Sequence, residues 1–147
     1  MELQVKLQKL RPNAVIPAYA TPGSAAVDLC AALEADVEIP PRERRAIPTG
    51  LAMDPGRDDV VALVYARSGL GCKHGIVPAN CVGVVDSDYR GEILVCLQNN
   101  SDVPYTVRPG DRIAQLLFTP VCHASFTVED SLSATERGQG GFGSTGK

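Results

Sequence analysis

The chain has 147 residues, a length that suits one domain with a single core. Its net charge of −3 and pI near 5.3 give no global electrostatic basis for binding long nucleic acid or an anionic membrane. No apolar run approaches the ~20 residues of a membrane span, and the start, Met1-Glu-Leu-Gln-Val-Lys, lacks the apolar core of a signal peptide.

Leu3, Val5 and Leu7 alternate with polar residues and predict a half-buried strand. Pro12, Pro17 and Pro22-Gly23 then break the chain into a loop. Val27 to Ala32 reads as a short strand carrying one acid, Asp28. Val37 to Ile39 and Arg44 to Leu51 follow, split by Pro40-Pro41 and ended near Pro55-Gly56. Val60 to Ala66 is continuous and β-branched, the pattern of a central strand. Arg67 to Gly75 is glycine-rich, with room for one helical turn at most. Ile76-Val77 and Val82 to Val85 flank Pro78-Ala79-Asn80 and predict a β-hairpin. Ile93 to Gln98, Val103 to Val107, Ile113 to Phe118 and Val121 to Val128 are further strands, with turns at Asn99 to Asp102 and Pro109-Gly110-Asp111.

Many short strands without a helical period predict an all-β sandwich or barrel. One domain ends near residue 130, and residues 131–147 form a glycine-rich C-terminal arm that cannot fill a core. Five cysteines (Cys30, Cys72, Cys81, Cys96, Cys122), odd in number and without a Cys-x-x-Cys pair, fit small buried side chains in a reducing, cytoplasmic compartment. Cys72, His74 and Cys81 could offer three zinc ligands but lack the usual spacing. His74 and His123 sit in no nucleophile or metal pattern.

The segment with most chemistry is Asn80 to Glu92. An apolar run delivers the chain to Asp86, Asp88, Tyr89 and Arg90, and a second apolar run carries it away. Two carboxylates, a phenol and a guanidinium crowded at strand ends make a site rather than packing. Arg67-Ser68-Gly69, directly after a buried strand, offers a guanidinium, a hydroxyl and an unhindered backbone for phosphate oxygens; it also reads as an ordinary Ser-Gly turn. It is no Walker-type loop. Pro109-Gly110-Asp111-Arg112 is a turn with a salt bridge, and Gln115 is a half-buried amide that needs partners. In the arm, Arg137, Phe142, Ser144 and Thr145 punctuate glycines, either as a plain linker or as a nucleotide clamp.

Five segments, in order, resemble the five signature motifs of the trimeric dUTPase family. They are Ala25 to Ala31, Ala66 to Leu70, Gly83 to Ile93, Gly110 to Leu116, and Arg137 to Gly146. Ala26 stands where the first motif usually has glycine, and Leu94 stands where relatives often carry a polar or flexible residue. The resemblance implies a distorted β-jelly-roll, a homotrimer with sites shared between subunits, and hydrolysis of dUTP to dUMP and pyrophosphate. That reaction keeps uracil out of DNA and supplies dUMP. By the same resemblance Asp86 is the general base for water attacking the α-phosphorus, and Asp28 is a supporting acid. Asn80, Gly83, Val84 and Val85 would read uracil, and Tyr89 would lie beneath the deoxyribose. Arg67, Ser68, Gly69 and Gln115 would hold phosphates. Phe142 would stack on the base, while Arg137, Gly143, Ser144 and Thr145 would close the arm over it. Mg²⁺ is the implied cofactor, held through phosphates and water without a direct protein ligand. The alternatives are a dCTP deaminase, a dUTP-binding regulator that docks a protein partner, and an all-β structural module.

Overall fold

The computed structural model of the chain describes residues 2–141. Strand β1 (Lys6–Lys9) pairs with β5 (Leu51–Asp54), and β3 (Val37–Ile39) pairs with β10 (Tyr105–Val107). A four-stranded sheet runs in the order β2 (Val27–Cys30), β11 (Arg112–Pro120), β6 (Val60–Tyr65), β8 (Gly83–Val85). A three-stranded sheet has β9 (Leu94–Asn99) between β4 (Arg44–Pro48) and β7 (Ile76–Pro78). All these ladders are antiparallel. Sheet neighbours are mostly distant in sequence, so the chain crosses repeatedly between layers, as a distorted jelly-roll does. No helix among the described residues is long and apolar enough to cross a membrane.

Period-2 burial builds the core. Along β6 and β9 buried positions alternate with partly exposed ones, so each sheet has one inner face. Leu29, Ile39, Ile47, Ile76, Leu97 and Val107, from six different strands, are essentially inaccessible. Two polar residues share that core and both are satisfied. Asn99 Nδ2 donates to the carbonyls of Ile39 and Val103, and its Oδ1 accepts from Ser101. Thr49 Oγ1 donates to the Ile93 carbonyl at 2.7 Å.

The structure revises several sequence expectations. The run read as one strand, Arg44 to Leu51, is broken at Thr49-Gly50 and resumes as β5. Gly50 has φ +69°, and a Cβ there would lie 2.7 Å from that of Ala14, so only glycine fits the kink. The glycine-rich segment after β6 is a helix of two turns, α1 (Ser68–His74). It buries Leu70, packs on β7, and ends at Gly75 with φ +67°. The expected hairpin does not form, because β7 pairs with β9 whereas β8 pairs with β6. Between them Cys81 takes φ +62° and the Val82 N–H donates to the Asn80 carbonyl, turning the chain from one sheet to the other. Val121 to Val128 forms no strand. Phe126 and Val128 are 92% and 96% exposed, and among the described residues this β-prone segment has no partner strand. Nor are the cysteines buried: Cys72, Cys81 and Cys122 are exposed, and all five thiols are free.

Candidate active site

One group of side chains gathers where β6 runs into α1. In the β2–β11–β6 ladders Asp28 faces Gln115 and Gln115 faces Tyr65, so the three share one face of the sheet. Two residues beyond Tyr65, Arg67 caps α1 and turns back over this row. Its Nε donates to Asp28 Oδ1 at 2.8 Å and its Nη1 to the Arg112 carbonyl at 3.2 Å. The pairing register shifts between Arg112 and Ala114, an irregularity of the kind that re-aims a side chain, and Arg112 Nη1 donates to Asp28 Oδ2 at 3.2 Å. The salt bridge expected within the Pro109 turn is thus made to Asp28 instead, and Asp111 accepts the Arg108 N–H.

One carboxylate facing two guanidiniums leaves a positive surplus. Lys73 adds to it and Asp111 offsets part of it around a cavity of about 320 Å³ lined also by Arg67, Gly69, His74 and Arg112. A Cβ on Gly69 would meet nothing within 4 Å, so that backbone is open to an incoming group. Such a cavity suits phosphate oxygens. Partial burial, and then Asp28, push the nearby Cys30 thiol above its ordinary value.

A second cavity, of about 260 Å³, lies against β8 and the loop that follows it. Asn80, Gly83, Val84, Val85, Asp86 and Tyr89 line it. Gly83 is a point of close approach: a Cβ there would stand 3.1 Å from that of Val64 and 3.6 Å from Asn80 Nδ2. Asp86 opens a turn closed by the Tyr89 N–H to its carbonyl, and it is exposed at the cavity it lines. Tyr89 lies across Gly91, where any Cβ would come 2.3 Å from the phenol oxygen, and its hydroxyl donates to the Glu92 carbonyl at 3.0 Å. Leu94 is 56% exposed and lines the same cavity.

Two attachments to the body fix this loop, and neither Arg11 nor Glu92 was among the residues singled out from sequence. Arg90 Nη2 donates to Asp54 Oδ1 at 2.8 Å. Glu92 accepts from Arg11 Nε at 2.7 Å, Arg11 Nη2 at 3.2 Å and the Gly50 N–H at 2.9 Å. The Arg11 hydrogen bonds hold the Glu92 carboxyl below its usual range, aided by Gly50 and opposed by burial.

The two groups line separate cavities, and among the described residues no hydrogen bond or ion pair joins them. Arg137 lines neither; its Nε donates to the Gly140 carbonyl within a local turn. Phe142, Gly143, Ser144 and Thr145 lie outside the described residues. Cys72, His74 and Cys81 do not form a metal-holding group among the described residues.

The sequence model of the dUTPase family matches residues 12–146. The chain belongs to the dUTPase family. Among its relatives, the deoxyuridine 5'-triphosphate nucleotidohydrolase of Tolumonas auensis is 47% identical over 147 residues, spanning all of this chain and 97% of that protein. The enzyme of the same name from Methylibium petroleiphilum is 49% identical over 145 residues, covering 99% of this chain and 97% of its own. Among solved structures, the dUTPase of Staphylococcus bacteriophage 80alpha with dUPNHPP superposes with a TM-score of 0.90 at 25% identity, covering 98% of this chain and 99% of that one. The dUTPase match takes in both cavities and the arm.

Proposed function

We propose that this dUTPase family member hydrolyses dUTP to dUMP and pyrophosphate, with water attacking the α-phosphorus. The observation that carries the reading is one cavity holding Asp86 together with Asn80, the close-packed backbone of Gly83 and the Tyr89 ring. Asp86 is the general base: it sits on the loop where base and sugar would end and phosphates begin. A carboxylate is a weak base toward water, so holding that water in line supplies much of the acceleration. Asn80 and the backbone of Gly83, Val84 and Val85 read the uracil edge; a site built for uracil's hydrogen bonds rejects cytosine by leaving polar groups unpaired. Tyr89 is the surface beneath the deoxyribose.

Arg67, Ser68, Gly69 and Gln115 hold the phosphates, with Asp28 aiming Arg67. Both Asp28 oxygens already accept guanidinium donors, so the donor set suits a Mg²⁺ that is carried by the triphosphate and meets protein through water. When bound, Mg²⁺ neutralises phosphate charge there.

The working unit is a homotrimer with shared sites. Support comes from the two separate cavities and from an apolar groove of about 800 Å³ lined by Leu3, Val5, Leu7, Val60 and Phe118. The exposed Phe126, Val128 and Leu132 match that groove in chemistry and need cover. From a neighbouring copy, the arm of residues 131–147 closes over the site, with Phe142 on the base and Arg137, Gly143, Ser144 and Thr145 on phosphates. Five free thiols suit a reducing, cytoplasmic setting.

The test is pyrophosphate release with Mg²⁺ over dUTP and the four standard deoxynucleoside triphosphates. Release from dUTP alone supports the reading. Ammonia released from dCTP, or no turnover of dUTP, overturns it.

A further inference from the structure

Glu92 does two things at once. Its carboxylate, on a side chain 19% exposed, is gripped by the fork of Arg11 and by the N–H of Gly50. Its carbonyl, on the same residue, receives the Tyr89 hydroxyl. The grip is rigid on both sides: a guanidinium fork fixes the plane of a carboxylate, and Gly50 is wedged against Ala14, Arg11 and Ala32 with no space for a Cβ. The phenol end is confined as well, because the ring lies directly on Gly91. An N-terminal loop residue that lines neither cavity is thereby linked to the height of the Tyr89 ring.

We infer that Arg11 and Glu92 are positioning residues for Tyr89 and set how strictly the site rejects a ribonucleotide. The inference rests on the reading of Tyr89 as the surface beneath the sugar. A 2′-hydroxyl is excluded by a ring held in van der Waals contact with the sugar, and misplacement of about 1 Å can cost 10²-fold. Loosening Glu92 lets the ring fall away, so the loss appears in the dUTP-to-UTP ratio rather than in the chemical step. Arg90, which ties the other side of the loop to Asp54, keeps Asp86 in place when the Arg11 fork is cut.

The test compares kcat/KM for dUTP and UTP in Arg11→Ala, Glu92→Ala, Glu92→Gln, Tyr89→Phe, Tyr89→Ala and the Arg11→Ala/Tyr89→Ala double variant. Binding of the α,β-imido analogues of dUTP and UTP is measured by calorimetry alongside. Arg11→Ala and Glu92→Ala should each lower the dUTP-to-UTP ratio by about tenfold, through KM, with kcat for dUTP within about threefold of the parent. Glu92→Gln keeps an oxygen for Gly50 and Arg11 Nε and should restore most of the ratio. Tyr89→Phe removes only the hydroxyl bond to the Glu92 carbonyl and should shift the ratio the same way even if Glu92→Ala fails to fold. In the Tyr89→Ala background, Arg11→Ala should change nothing further, because both act through one ring.

If Tyr89→Ala relaxes the ratio while Arg11→Ala and Tyr89→Phe leave it intact, the inference is overturned and the reading of Tyr89 stands. Full additivity in the double variant overturns it too. If Tyr89→Ala itself leaves the ratio unchanged, both the sugar reading and the inference fall. Should the parent bind the dUTP analogue but not turn dUTP over, the hydrolase reading fails and the analogue affinities alone decide the inference.

Discussion

Arg67 Nε donates to Asp28 Oδ1 at 2.8 Å, so the guanidinium at the head of α1 is aimed by an acid on β2, 39 residues earlier. Arg112 occupies the other oxygen, and one carboxylate sets the geometry of two cations.

Replacing Asp28 by Asn should therefore loosen the phosphate side without touching the base. The shape is kept, but one guanidinium loses a charged acceptor, an interaction of about 1.5–3 kcal/mol when fully desolvated and less here, with side chains 24% and 22% exposed. KM for dUTP should rise about tenfold with a smaller change in kcat. Steady-state kinetics on the purified variant decide; an unchanged KM takes Asp28 out of this role.

Asp86→Asn should leave the fold and nucleotide affinity intact while lowering kcat by ~10²–10⁴-fold, the usual share of a general base. Asp86 is exposed, so no buried partner is orphaned by the change. Near-parent turnover in a Mg²⁺-supplied variant of confirmed affinity would remove Asp86 as the base.

Acid should weaken the Arg11–Glu92 tie in a defined direction. Glu92 has its pKa lowered in the folded chain, chiefly by the Arg11 hydrogen bonds. A carboxyl so depressed adds stability above its unfolded value, near 4.3, and that contribution disappears as pH falls through the folded value. Denaturant midpoints for the parent and for Glu92→Gln should differ at pH 7 and converge on acidification below about 4. A gap that widens in acid would reverse the sign of the argument.

Ending the chain at Glu136 should cost activity mostly in kcat if the arm's contacts strengthen in the transition state. Loss of Phe142 alone should cost ~1–3 kcal/mol, as base–aromatic stacking does. Action between subunits is tested by refolding two inactive parents together, Asp86→Asn with its arm and a truncated chain with Asp86. Mixed trimers, verified by mass spectrometry, should regain turnover. Mixed trimers as inactive as their parents would place the arm in cis.

Much of the fold was legible because β6 is continuous, apolar and β-branched, and such a run has little alternative to a central strand. Partner choice was not. The residues around Pro78-Ala79-Asn80 have every local mark of a hairpin, yet β7 and β8 enter different sheets, because pairing is decided by burial across the whole core. The helix after Arg67 exceeded expectation for a similar reason: glycines weaken a helix locally, but burying Leu70 against β7 offsets that. At the site, local chemistry marked Asp86, Tyr89 and Arg67. Nothing local could join Arg11 to Glu92 across 81 residues, since an exposed-loop arginine and a strand-end glutamate are ordinary surface residues until folded.

The exposed apolar segment around Phe126, Val128 and Leu132 follows the β1–β11 body in sequence. Chains are made from the N-terminus at about 5–20 residues per second, and domains fold as units while they emerge. The adhesive stretch therefore leaves the ribosome only after the strands before it have been made. On the homotrimer proposal, that order displays the apolar surface last, after the groove-lining residues from Glu2 to Pro120 have been made.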